Sequence, residues 1–178
     1  MNTENPERSG PHPGVRRRTD GDLAECVRVL AEVHAQDRYP LDWPDRPAAW
    51  LSQGPVLGSW VAELDGRLAG HVSLSRAGDD DLAPGLWSER SGAARETAAV
   101  VGRLFVAPAA RGHRIGALLI GRAVREAHDR GLHPVLDVVT SDTAAAALYE
   151  RLGWQRMATV DQHWDHRTVT LACYTAPS

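Results

Sequence analysis

Two rhythms of apolar positions alternate along the chain. Leu23, Cys26, Val27 and Leu30 recur at i, i+3, i+4 and i+7, which predicts an amphipathic helix. Thr19 and Asp22 form a capping-box pattern at its start. The run Ser59–Leu74 instead alternates about Asp65-Gly66, and Asp-Gly between two apolar runs predicts a β-hairpin. "TAAVVGRLFV", Thr97–Val106, reads as a central strand. Ile115, Leu118, Leu119, Ala123 and Ala127 then mark the buried stripe of another helix, ended by Gly131. His133–Thr140 is a short, mostly buried strand. Asp142 caps a helix whose apolar face is Ala145, Leu148, Tyr149 and Leu152, with Gly153 just past its end. Two strands, near Trp154–Val160 and Arg167–Tyr174, complete the pattern.

The intervening segments carry loop chemistry. Met1–Gly14 holds three prolines, two glycines and little apolar content, so a disordered leader is expected. Val15–Thr19 predicts a short edge strand whose alternate arginines, within Arg16–Arg18, face water. His34–Trp50 is a Pro- and Trp-rich loop with a short helical turn near its end. Ser75–Glu96 reads as a loop with an acidic cluster at Asp79–Asp81. There is no internal repeat and no linker, so residues 15–178 are expected to form one mixed α/β domain.

Composition narrows the function classes. The chain has 178 residues and is 43% hydrophobic, as a globular domain is. Its net charge of −3 argues against a general nucleic-acid binder. No apolar run approaches the roughly 18 residues of a membrane span. The first residues lack the apolar core of a signal peptide, so a cytoplasmic location is expected. Cys26 and Cys173 are too few for a disulfide framework, and a single bridge stays open. His163 and His166 lack a Cys or carboxylate partner at ligand spacing, so no metal is expected.

The chemistry centres on the turn Arg111-Gly112-His113-Arg114-Ile115-Gly116-Ala117, between a strand and a helix. A helix N-terminus gathers unpaired N–H groups and the positive end of the helix dipole, which suits a phosphate. Glycines at 112 and 116 let the backbone approach a ligand, and Arg111 and Arg114 add charge. Plain turn-making accounts for the glycines equally well. A P-loop is excluded because the chain contains no lysine, and Gly112-x-x-x-Gly116 does not match a dinucleotide fingerprint.

A second block, "LDVVTSDTAAAALYERLGW" from Leu136 to Trp154, decides between these readings. Together the two blocks resemble the GNAT superfamily of acyl-CoA-dependent N-acyltransferases. Arg111-Gly112-His113-Arg114-Ile115-Gly116 matches its [Q/R]-x-x-G-x-[G/A] phosphate motif. Asp142, Ala145, Leu148-Tyr149-Glu150 and Gly153-Trp154 match its second motif, with Asp142 in place of the common Asn. Arg114 stands where the middle glycine usually is, so a helix-like conformation is expected there, because Arg does not readily take φ > 0.

The resemblance implies a GNAT-like fold, a mixed and mostly antiparallel twisted sheet of six to seven strands with helices on both faces. It implies acetyl-CoA as co-substrate, lying between two splayed parallel strands. Leu104, Phe105 and Val106 would meet the pantetheine amides. Arg111, Gly112, His113, Arg114, Ile115, Gly116 and Ala117 would hold the pyrophosphate, with Asp142 near the cofactor. A strand amide near Val106 would serve the carbonyl oxygen. Tyr149 is the implied general acid to the thiolate; on its own the residue reads equally as helix core. Many members carry a strand Glu at the position of Val100, which cannot act as a base. Asp137, in Leu136-Asp137-Val138, is the first candidate base, an ordinary strand Asp being the other reading; Glu96 and His71 are fallbacks. The implied reaction is N-acetylation of a primary amine, on a small molecule or a protein. A non-catalytic acyl-CoA sensor is the alternative. Acyl chain length and oligomeric state, a homodimer included, stay open. His34–Trp50, Ser75–Glu96 and the last two strands are expected to build the acceptor side.

Overall fold

The computed structural model describes residues 12–178; the expected leader lies outside the described residues as far as residue 11. Its last residue, Gly14, opens an edge strand instead. Seven strands form one sheet: β1 (Gly14–Arg17), β2 (Val56–Leu64), β3 (Arg67–Arg76), β4 (Ala98–Val106), β5 (His133–Val139), β6 (Gln155–Trp164) and β7 (Arg167–Thr175). Their spatial order is β1-β2-β3-β4-β5-β7-β6, and only β4 and β5 run parallel. Five α-helices accompany them: α1 (Leu23–Asp37), α2 (Pro47–Leu51), α3 (Leu82–Ser91), α4 (Ile115–Asp129) and α5 (Thr143–Arg151). The chain folds as a single domain with a mixed, mostly antiparallel sheet, as the sequence implies.

Local chemistry explains most boundaries. Asp65 and Gly66, at φ 52° and 74°, make the β2–β3 turn, where a two-residue hairpin loop of this type needs positive φ at both positions. The Asp22 carboxylate accepts from the Thr19 N–H at 2.7 Å and its hydroxyl at 3.1 Å, leading through one 3₁₀ turn into α1. Asp142 caps α5 by accepting from the Ala145 N–H at 3.0 Å, an arrangement worth about 1 kcal/mol.

The helices divide between the two faces of the sheet. Gly70 on β3 faces α4: a Cβ there would lie 3.0 Å from Leu119 and 3.2 Å from Ile115. Ala99, Val101 and Val72 share the large core on which Ile115, Leu119, Ile120, Ala123 and Ala127 pack. His71, one residue along, points the other way, toward Arg18 and the α2 end. Ala98 and Val135 meet Ala83 of α3 on that same face.

Several expectations are corrected. Ser75–Glu96 is not all loop, because α3 lies within it. Pro84 and Gly85 weaken its helical signal, yet proline in a first turn forfeits no helical hydrogen bond. Packing supplies what propensity does not: Ala83 is buried, and Trp87 stacks on His133 with centroids 4.8 Å apart. Helix α1 also runs through His34–Asp37, which reads as the start of a loop. Leu118 is 42% exposed; Ile120 takes its place in the stripe. Arg18 does not face water but turns inward to the Leu51 carbonyl at 3.0 Å. Both cysteines are free and buried.

Candidate active site

Strands β4 and β5 pair at Ala98–His133, Ala99–Pro134 and Val100–Val135, and no further. Beyond that point β4 continues on β3 to Val106, while β5 continues on β7 to Val139. The two therefore part, leaving an open gap in the sheet. The Ala107 N–H donates to the Ala69 carbonyl at 2.7 Å on the β3 side. Strand alternation turns the Val106 N–H the opposite way, toward the gap.

The chain leaves β4 through a 3₁₀ turn, Pro108–Ala110, and enters α4 at Ile115. From Gly112 to Ala117 no backbone N–H has an acceptor among the described residues. Gly112 sits at φ 86°, which only glycine takes without cost. Gly116 serves packing: a Cβ there would come within 2.9 Å of the Leu148 side chain of α5. Arg114 corrects the sequence expectation. It takes φ 59°, ψ 22° at the N-cap, a left-handed conformation and not a helical one. The turn needs that geometry whichever residue stands there, and an Arg costs about 1–2 kcal/mol where a glycine would not. Arg111 is engaged, through an ion pair with Asp37 at the end of α1. His113 stays local, with Nδ1 3.1 Å from the Ala110 carbonyl.

Around the gap the fold gathers ionisable groups from five segments. Tyr149 projects from α5 and is 6% exposed. Its ring meets Trp154 and Tyr174, each at 5.9 Å between centroids, and its hydroxyl has no hydrogen-bond partner among the described residues. Burial raises its pKa well above the ordinary phenol value, and Tyr39, Asp142 and Asp137 push the same way. Asp137 is exposed to solvent, with protein packed around part of its carboxyl. That packing, with the charge of Asp81, raises its carboxyl to about 6. Tyr39, raised chiefly by burial, feels Arg103 as well as Asp142 and Asp137.

Two fallback bases fall away. Glu96 is exposed and precedes β4, at the paired end of the two strands. His71 is 0% exposed and fully bonded. Its Nε2 lies 2.9 Å from Arg18, which can only donate, so Nδ1 carries the proton and donates to the Arg103 carbonyl at 2.9 Å. Burial lowers its pKa to about 4, making it a neutral core histidine. Val100 packs with α3 and supplies no acid or base.

A family model described as the acetyltransferase (GNAT) family matches residues 23–154, most of the chain. The chain belongs to the GNAT acetyltransferase family. No curated protein matches it in sequence. Solved GNAT-type structures share its fold. One is yncA from Salmonella typhimurium, solved with its cofactor acetyl-CoA, at 21% identity, 92% coverage of both chains and TM-score 0.65. A GCN5-related N-acetyltransferase from Kribbella flavida is 22% identical over 93% of this chain and 98% of its own, with TM-score 0.67. The ribosomal-protein-S18-alanine N-acetyltransferase from Escherichia coli is 18% identical over 93% of both, also with TM-score 0.67.

Sequence reasoning singles out Tyr149, Asp137, Asp142 and the turn in this GNAT chain, reaches Tyr39 and Trp50 only within the acceptor-side stretch His34–Trp50, and misses Arg103. Tyr39 lies in a loop and Trp50 on the five-residue helix α2, both too short to carry a periodic signal. Arg103 carried a readable one: a charge after glycine inside an apolar strand marks a bulge or a close approach. The structure has that irregularity, with a register shift between His71 and Ser73 opposite Arg103 at φ 49°.

Proposed function

We propose that the protein transfers the acetyl group of acetyl-CoA to a primary amine by direct attack. The observation that carries this reading is the unpartnered N–H series from Gly112 to Ala117 at the mouth of the β4–β5 gap. These groups suit a pyrophosphate, because a helix N-terminus offers N–H donors and a positive dipole end together. Ile115, Gly116 and Ala117 donate from the helix, and Gly112, His113 and Arg114 from the turn. Arg111 and Arg114 lend positive charge. Leu104, Phe105 and Val106 flank the pantetheine chain, with Asp142 beside it. When bound, acetyl-CoA supplies an activated acyl carbon on a thiol leaving group.

Asp137 receives the amine proton as the C–N bond forms. A carboxylate near pKa 6 is ionised at neutral pH yet basic enough to accept a proton from a nitrogen that attack has made acidic. The Val106 N–H donates to the carbonyl oxygen as it gains charge. Tyr149 donates from its free hydroxyl to the departing sulfur. At ordinary values, transfer from a phenol near 10 to a thiolate near 8.5 is uphill by about 2 kcal/mol. The neighbours of Tyr149 raise its pKa and so do not reduce that gap. The gain from Tyr149 is therefore a hydrogen bond that strengthens as charge develops on sulfur, with solvent completing the protonation.

Release of free thiol from acetyl-CoA across an amine panel tests this reading. Amine-dependent release that Tyr149→Phe lowers by about a hundredfold or more supports it. Coenzyme binding without release on any amine contradicts it and leaves an acyl-CoA-binding module.

A further inference from the structure

Arg103 is half-buried and pairs with no anion among the described residues, although Asp81 lies near enough for its charge to act on the guanidinium. Its guanidinium carbon lies 4.7 Å from the ring centroid of Trp50, so the plane is held over the indole face. Its Nε is buried with no hydrogen-bond partner, and none of its nitrogens reaches a carboxylate or carbonyl among the described residues. Nearly every other feature around it is satisfied: Arg18 has His71, Leu51 and Ser52, and Arg95 has the carbonyls of Gly78 and Asp81.

Two costs therefore meet at one residue. A half-buried cation without a paired counter-ion is destabilising, less whatever the Trp50 face returns. The backbone adds a left-handed φ of 49° in the middle of a strand, a conformation that strains a residue other than glycine. A hydrogen bond from His71 to the Arg103 carbonyl fixes this bulge from within the core. The strand thus aims a rigid planar donor to the gap side that also holds Tyr39, whose hydroxyl feels Arg103 and Asp137 together. Arg103 and Asp137 do not pair with each other, so the site offers a cation and a carboxylate held apart.

We propose that Arg103 is a specificity residue that receives a carboxylate of the acceptor, so that the amine substrate is a carboxylate-bearing one, of amino-acid type. This rests on the acetyl-transfer reading above. The guanidinium fork matches a carboxylate in plane, with the Trp50 face fixing its tilt. The substrate amine then stands near Asp137, and its carboxylate supplies the missing counter-charge to Arg103.

A panel of α-amino acids and their carboxamides tests this, with the wild-type chain and the Arg103→Met and Arg103→Lys variants. Each carboxamide loses only the negative charge, and its amine deprotonates more readily, so chemistry alone favours the carboxamide. Initial rates of thiol release give kcat/KM, and calorimetry on the protein–coenzyme A complex gives affinity. The expected result is a preference of at least tenfold for the free acids in wild type. It falls to within threefold in Arg103→Met and is partly restored in Arg103→Lys, with the KM for acetyl-CoA unchanged. Equal or better use of the carboxamides by wild type would overturn the proposal, as would a preference that survives Arg103→Met. A raised KM for acetyl-CoA in Arg103→Met would overturn it too, by moving Arg103 to the coenzyme. Absence of transfer to any amine overturns the acetyl-transfer reading. The affinities then decide the Arg103 assignment: equal binding of acids and carboxamides overturns it, and a preference lost in Arg103→Met upholds it as a binding site.

Discussion

Val100 and Val135 are the last residues at which β4 and β5 stay paired. Both side chains pack beside α3, on one face of the sheet. Past this pair each strand is held only by its outer neighbour, β3 for one and β7 for the other. A parallel pair that opens in mid-sheet leaves backbone donors and acceptors without partners, a cost that a bound chain of amides offsets. Every element of the candidate site is placed by that opening: the Val106 N–H on one wall, Asp137 on the other, Tyr149 from the helix after β5.

Tyr149→Phe separates catalysis from core packing. The ring contacts with Trp154 and Tyr174 survive, and a hydroxyl with no partner is lost. Thermal stability is expected to stay within about 1 kcal/mol of wild type. Steady-state kinetics should show kcat lower by about 10²–10³, a typical range for one preorganised hydrogen-bond donor to developing charge, at unchanged KM for acetyl-CoA.

Asp137 sets the pH dependence. As a base it works ionised, and its pKa is raised to about 6, so kcat/KM should show a limb that rises through about 6, beneath the further rise that deprotonation of the free amine gives toward alkaline pH. Asp137→Asn should remove that limb and lower the rate above it by about 10²–10³. A wild-type profile without that limb would argue against the role.

Acid stability reports on His71. Its folded pKa is depressed to about 4 by burial, against about 6.5 in the unfolded chain. The unfolded state therefore takes up a proton first, and stability present above about pH 6.5 is lost as pH falls toward 4. The loss from this group has an upper bound of about 3 kcal/mol. Asp137 works in the opposite sense between about pH 4 and 6, because its folded form holds its proton longer. Urea unfolding of wild type and His71→Gln across pH 4–7 isolates the histidine. The wild-type stability should fall more steeply than that of the variant.

The turn makes a conformational prediction. Arg114 lies at φ 59° and Gly112 at φ 86°, so each position favours glycine. Arg114→Gly should leave the melting temperature unchanged or higher, whereas the β-branched Arg114→Val should cost about 1–2 kcal/mol. Gly112→Ala should likewise strain the turn and weaken coenzyme binding. Thermal melts with and without coenzyme A check both effects.

Much of this architecture is legible in the residues themselves. The β2–β3 hairpin follows from Asp65-Gly66, and the start of α5 from Asp142, because each depends on contacts a few residues long. Helix α3 is not legible, since Pro84-Gly85 argue against it and only packing on Ala98, Val135 and His133 holds it. The site divides along the same line. Gly112, Gly116 and Tyr149 sit in local motifs, whereas Tyr39, Trp50 and Arg103 meet only because α1, α2 and β4 fold against each other. Arg114 shows the limit within a motif: its residue type argues for a helical φ, and the turn imposes a left-handed one.

Calorimetric titration of the folded chain with coenzyme A and with acetyl-CoA bears most directly on the account, because everything else follows from the turn at the start of α4. Saturable one-to-one binding in the micromolar range, weakened at least tenfold in Gly112→Ala, is predicted. No heat of binding at millimolar coenzyme, on protein shown to be folded by circular dichroism, would contradict it.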